Sequence, residues 1–120
     1  MVRYLRKKEI IVKNIFDYQQ FRNKKYEVFE NFIEDKDIKI ERIISSGQIT
    51  PKNKWLKDSR GEWVILLRGK AELLFKSEDK LLLKKGDYLL IPSNTEHKVT
   101  YTSKKPHCIW LAIYGNFINH

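Results

Sequence analysis

The sequence predicts an all-β sandwich or barrel built as one domain, with a short helix in an N-terminal extension. Three observations lead there. From Lys36 onward, apolar and polar residues alternate in short runs, the two-residue period of half-buried strands. Gly, Pro, Asn, Asp and Ser recur between those runs, as the turns of a many-stranded fold require. At 120 residues, with 42% hydrophobic and 12% aromatic content, the chain can bury one core and lacks the composition of a disordered segment.

Taken in order, residues 1–8 read as a tail, and Glu9–Lys13 is a β-branched run that suits an edge strand. In 14–34 the apolar spacing is mixed. Tyr26, Phe29 and Phe32/Ile33 recur every three or four residues, so a short amphipathic helix is expected over 25–33, covering one end or face of the sheet. The next strand has Ile38, Ile40, Arg42 and Ile44 on one face and Lys39, Glu41, Ile43 and Ser45 on the other. Ser46-Gly47 ends it. Residues 48–61 form a loop with room for a short strand, and Trp55 and Leu56 are its apolar exceptions. Strands then follow at Glu62–Leu67, Ala71–Lys76, Leu81–Leu83, Tyr88–Ile91, His97–Thr102 and Cys108–Tyr114. Residues 1–35 are thus an extension with an edge strand and a short helix, and 36–116 the barrel.

The net charge is +9, but it is not concentrated: residues 1–40 carry ten Lys+Arg against seven acids, and 41–120 carry fourteen against eight. No zinc finger, RNA-recognition motif or basic helical stripe accompanies it, so a solvated lysine-rich surface is expected and nucleic acid is not an expected partner. No apolar run approaches the ~20 residues of a membrane helix, and the N-terminus has no signal-peptide pattern. Cys108 is the only cysteine; without an internal disulfide, a cytoplasmic location is expected.

Gly86-Asp-Tyr-Leu-Leu-Ile-Pro-Ser-Asn-Thr-Glu-His-Lys-Val99 resembles the second motif of the cupin superfamily, Gly-x5-Pro-x-Gly-x2-His-x3-Asn. Gly86, Pro92 and His97 occupy its fixed positions, Asn94 stands at the middle glycine and Tyr101 at the final asparagine. Glu62, six residues and Gly69 reproduce the second half of the first cupin motif, Gly-x5-His-x-His-x3or4-Glu-x6-Gly. Its two histidines are missing, since no histidine precedes His97. Trp55, Glu62-Trp63-Val64, Ile91-Pro92 with His97-Lys98-Val99, and Trp110-Leu111-Ala112 look like a subgroup of small cupin-like proteins with a depleted metal-ligand motif. The resemblance covers roughly 38–115. It implies a cupin-type jelly-roll barrel, commonly a homodimer formed by strand exchange or sheet packing, but it carries no assigned reaction.

The family's metal set is three imidazoles and one carboxylate, suited to Fe, Mn, Ni, Zn or Cu. Here the resemblance leaves Glu62 and His97, so any such metal would be weakly held, with help from Asp58, Tyr101, His107 or solvent. Strand alternation puts His97 on one face with Val99 and Tyr101, which the cupin fold makes interior; the alternative is a solvated rim histidine. Glu62 shares a face with Val64 and Leu66, where a carboxylate needs a partner or a raised pKa. Trp55 at the expected barrel mouth could stack on a flat or sugar-like ligand, with Asp58 beside it as a further ligand contact; both also read simply as loop residues. Tyr101 could hydrogen-bond a ligand or fill the barrel. Three functions follow: a barrel binding a small molecule through Glu62 and His97, a metal-dependent oxygenase, isomerase or lyase, and a metal-free acid–base catalyst in which His97 works with Glu62 or Tyr101.

Overall fold

A computed structural model describes residues 3–5, 10–21 and 24–117. Its strands are β1 (Arg3–Leu5), β2 (Ile10–Val12), β3 (Val28–Glu34), β4 (Lys39–Ser45), β5 (Gly61–Arg68), β6 (Lys70–Phe75), β7 (Lys80–Lys84), β8 (Tyr88–Ile91), β9 (His97–Thr102) and β10 (Cys108–Gly115). Glu9, with which the first strand was expected to begin, lies outside the described residues. All pairings are antiparallel. β1 and β2 form a two-stranded ribbon; the rest make a five-stranded sheet, β3-β4-β10-β5-β8, and a three-stranded sheet, β7-β6-β9.

The core lies where these two sheets face each other. Val64 and Leu66 of β5, Ala71 and Leu73 of β6, Leu83 of β7, Ile91 of β8, and Trp110 and Ala112 of β10 form one buried cluster. Alternation produces it: Val64 stands opposite Ala112 and Leu66 opposite Trp110, so each pair shares the inner face. The residues between them point outward. Ile109 and its cross-strand partner Ile44 join Tyr18 in a second cluster on the outer side of the five-stranded sheet. Gly69 turns β5 into β6 with φ +90, and a Cβ there would come within 2.8 Å of Cys108 Sγ and Ser103 Oγ; the position admits only glycine without rearrangement.

The helix expected over 25–33 is not formed. No α-helix occurs among the described residues, the single helical turn being a 3-10 turn at Gln19–Phe21. Val28–Glu34 is instead an edge strand on β4, with a bulge between Asn31 and Ile33. The extra residue, Phe32, breaks the two-residue period, and this interruption produces the three-to-four spacing that resembles a helix. The covering role falls to residues 14–21. Buried Arg42 ties that segment down by donating to the carbonyl oxygens of Ile15 and Asp17, each at 2.8 Å, while pairing with Glu30 across the strand. A guanidinium satisfied on all sides in this way is tolerated inside a fold that would otherwise reject it.

β4 therefore turns its more apolar face, with Ile44 and Arg42, toward this segment. Its more polar face, with Glu41, Ile43 and Ser45, looks into the barrel. Among the described residues no helix is long and apolar enough to cross a membrane.

Candidate functional site

At one end of the barrel the two sheets part around a cavity of about 460 Å³. The larger part of its wall is apolar, with Ile43, Val64, Leu73, Ile91, Val99 and Trp110 among the lining residues, and polar and charged groups make up the rest. That is the usual character of a small-molecule site. His97 and Glu62 meet there.

Glu62 follows the first residue of β5 and is flanked by Ile91 of β8 and Tyr114 of β10. His97 opens β9, and its backbone is clamped in both directions: Leu56 N donates to His97 O at 2.7 Å and His97 N to Leu56 O at 3.0 Å. The two residues form an isolated β-bridge, and Thr50 N of the same loop donates to Val99 O at 2.9 Å. The turn before His97 carries Asn94 at φ 58. Asparagine enters this left-handed region more readily than other non-glycine residues, so it can stand where the motif has glycine. Its amide donates to Asp58 O at 2.7 Å.

The His97 tautomer follows from its neighbour. Nδ1 lies 2.9 Å from the Thr95 carbonyl oxygen, which can only accept, so Nδ1 carries the proton and the neutral ring presents a lone pair at Nε2. That atom is 3.7 Å from Glu62 Oε1, too far for a direct hydrogen bond. Burial lowers the His97 pKa, against the pull of the Thr95 carbonyl. Glu62 is pushed up to about 7, first by burial and then by the Glu41 charge, with a hydrogen bond from Tyr114 acting the other way. An attractive ion pair would shift both groups in the opposite sense. Burial sets the direction of both shifts, and the pair at neutral pH is best described as a neutral base beside a carboxyl close to its midpoint.

Three further residues belong to this end of the barrel although motif matching did not single them out. The Tyr114 hydroxyl donates to Glu41 Oε1 at 3.0 Å, and burial followed by the Glu62 charge keeps the phenol protonated. Buried Glu41 also has Lys39 Nζ at 3.6 Å. Glu27 lines the cavity and accepts from Ser45 Oγ, which in turn accepts from Trp110 Nε1 at 3.2 Å; burial raises its pKa. Alternation in β10 puts Trp110, Ala112 and Tyr114 on one face, so Tyr114 could have been found from the sequence. Glu27 could not, because it precedes β3 in irregular chain.

The other sequence candidates are placed differently. Asp58 lines the cavity, but its carboxylate holds the Arg60 backbone N at 2.8 Å and Nε at 3.1 Å, and the Arg60 hydrogen bond lowers its pKa. Trp55 is half-buried, does not line the cavity, and carries Lys98 Nζ over its ring at 4.5 Å. Tyr101 was expected on the inner face with His97 and Val99. A bulge in β9 intervenes: Val99 pairs with Leu73, but Tyr101 pairs with the adjacent Glu72. The extra residue Thr100 resets the alternation, and Tyr101 is 50% exposed and absent from the cavity wall. His107 sits outside the barrel against Tyr18, with its Nδ1 3.4 Å from the tyrosine hydroxyl.

The cupin profile, described as "Cupin domain", matches residues 43–114. The chain belongs to the cupin family. No curated protein matches this cupin, but solved structures do. A crystal structure from Ralstonia eutropha JMP134, described as a "putative mannose-6-phosphate isomerase", is similar with TM-score 0.79 and 29% identity over 88% of this chain and 98% of that one. A cupin superfamily protein from Desulfitobacterium hafniense DCB-2 gives TM-score 0.66 at 16% identity, covering 79% of this chain and 82% of the other. A cupin-like protein from Thermotoga maritima gives 0.64 at 19%, covering 75% and 68%. The last two likenesses concern the fold alone.

Cupins as a family imply a metal, and the donors of this cupin do not fit one. Among the described residues no three His, Cys, Asp or Glu side chains are arranged to hold an ion. The first-motif positions carry Asn53, Trp55, Leu56, Lys57 or Asp58, depending on the register. Of these only Asp58 is an anionic donor, and its carboxylate is committed to Arg60.

Proposed function

We propose that this cupin binds a small hydroxyl-bearing molecule in the barrel cavity, held between His97 and Glu62. The observation that carries the reading is the 3.7 Å gap between His97 Nε2 and Glu62 Oε1. It is too wide for the two to satisfy each other, yet one hydroxyl could sit about 2.8 Å from both, donating to the imidazole and accepting from the carboxyl. The apolar walls would cover the body of the ligand and strengthen those bonds by excluding water. The neighbour at 29% identity is described as acting on a sugar phosphate, which makes aldoses and ketoses the first compounds to test.

Neutral sugars, beginning with mannose, should be titrated into the wild type, His97→Ala and Glu62→Gln while following the His97 ring resonances and the melting temperature. A saturable shift at His97, lost in both variants, is expected. Ring resonances that ignore every compound while other surfaces respond would overturn the reading.

A second reading is metal-free acid–base catalysis on such a ligand. The juxtaposition of an unprotonated Nε2 and a carboxyl near its midpoint favours it, because one group can take a proton while the other supplies one. Incorporation of solvent deuterium at a carbon next to the substrate carbonyl would be its signature, and its absence in the wild type would remove the catalytic part. A homodimer belongs to the same proposal: Phe29, Phe32 and Ile33 of edge strand β3 are exposed, and a second copy would cover them. Light scattering that gives a monomer mass at high concentration would remove that element.

A further inference from the structure

The cavity is lined by lysines on its exposed loop and by carboxyl groups on its buried side. Lys54 and Lys57 both line the cavity and are exposed, on the loop that precedes β5. Four neighbouring cations are occupied, and Lys52, on the same loop, does not line the cavity. Lys39 Nζ lies 3.6 Å from Glu41, Arg60 Nε 3.1 Å from Asp58, and Lys76 Nζ 3.4 Å from Glu96. Lys98 Nζ donates to the Lys52 carbonyl at 2.7 Å and lies over Trp55. No hydrogen bond or ion pair, by contrast, involves the ammonium of Lys54 or Lys57 among the described residues.

The backbone beneath them is fixed. Lys54 N donates to Pro51 O at 3.0 Å, and Lys57 directly follows Leu56, which is bridged to His97. Two unneutralised ammonium groups on one anchored rim loop make the local potential positive and attract an anion. The carboxyl groups of Glu27 and Glu62 further in would keep such an anion at the mouth.

We propose that Lys54 and Lys57 seat an anionic group of the ligand, a phosphomonoester, at the cavity mouth, with the hydroxyl-bearing part of the same molecule directed toward His97 and Glu62. This rests on the cavity being a ligand site and names the outer end of its ligand. A carboxylate would offer only one negative charge, whereas two ammonium groups match the near-dianion of a phosphomonoester.

The test uses the full chain, isotopically labelled, titrated with inorganic phosphate and separately with acetate at constant ionic strength. Saturable amide shifts confined to residues 52–58 are expected, stronger for phosphate than for acetate. The double variant K54Q/K57Q should weaken phosphate binding by roughly tenfold, with the rest of the spectrum unchanged as proof of folding. Shifts that never saturate, that spread over the surface lysines, or that persist in the double variant would overturn the proposal. Equal affinity for acetate would overturn the phosphomonoester assignment. Failure here leaves the cavity reading standing, because that reading is tested with neutral sugars through His97 and Glu62. Failure of the neutral-sugar test with a positive phosphate titration would isolate the error in the floor of the site.

Discussion

Replacing Glu62 by Gln should make the protein less sensitive to alkaline pH. In the folded chain the Glu62 carboxyl is raised from an ordinary 4.5 to about 7. A group whose folded pKa lies above its unfolded value favours folding at low pH and loses that contribution as pH rises through the folded value. The pKa rises by 7 − 4.5 = 2.5, and at ~1.4 kcal/mol for each pH unit its full cost to the folded state at alkaline pH is about 3.5 kcal/mol. Most of that change falls between about pH 5 and pH 8.

Gln keeps the shape and cannot ionise, so the stability difference between Glu62→Gln and wild type should grow in favour of the variant by roughly 2 to 3 kcal/mol across that window. Urea unfolding of both proteins at intervals of pH gives the difference directly. The comparison cancels two other contributions. His97, held below its ordinary pKa by burial, loses stability as pH falls and is present in both proteins. Glu27, raised by burial, has the same sign as Glu62 and is also common to both. Parallel stability profiles for the two proteins would refute the argument that burial and the Glu41 charge hold the Glu62 proton.

The His97 ring should show the Nδ1–H tautomer, with Nε2 unprotonated, in nitrogen-detected spectra near neutral pH; an Nε2–H signal would contradict the Thr95 hydrogen bond. Tyr114→Phe removes the hydroxyl that donates to buried Glu41 and whose presence lowers the Glu62 pKa. It should cost about 1 to 3 kcal/mol and move the Glu62 midpoint upward in a carboxyl-carbon titration; a downward move would exclude the assigned geometry. Leu66→Ala, at a fully buried position between the sheets, should cost about 2 to 5 kcal/mol in urea unfolding. A loss below about 1 kcal/mol there would mean that the core is not where it is drawn.

Most of the barrel could be read from the sequence because its strands obey one rule. From Ile38 to Tyr114, alternation and turn residues outline strands that correspond to β4 through β10. Where the rule is interrupted by a single residue, the reading fails. Phe32 in β3 and Thr100 in β9 are each the extra residue of a bulge. The first makes a strand look helical, and the second turns Tyr101 away from the face its spacing assigns. Bulges depend on tertiary fit and leave no reliable mark in composition. The site divides in the same way. Glu62 and His97 were legible because fixed turn residues, Gly69, Gly86 and Pro92, set their distance from recognisable landmarks. Glu27 lies in irregular chain, and Glu41 sits on the more polar face of a strand whose other face appeared to be the buried one. Only the inward direction of that polar face, imposed by the packing of residues 14–21 outside it, makes Glu41 part of the site.

The clamp between Leu56 and His97 limits how a barrel of this kind can change. Backbone hydrogen bonds join the two residues in both directions, and Asn94 holds the Asp58 carbonyl a few residues along. The rim loop and the strand carrying the imidazole therefore move as one piece, and an insertion or deletion on the Leu56 side of the loop would drag the His97 backbone out of line with Glu62. New ligand preferences in such a chain would have to arise by exchanging side chains at fixed loop length, with Ile49, Pro51, Lys54 and Lys57 as the positions open to change and the distance from Leu56 to Asp58 held constant.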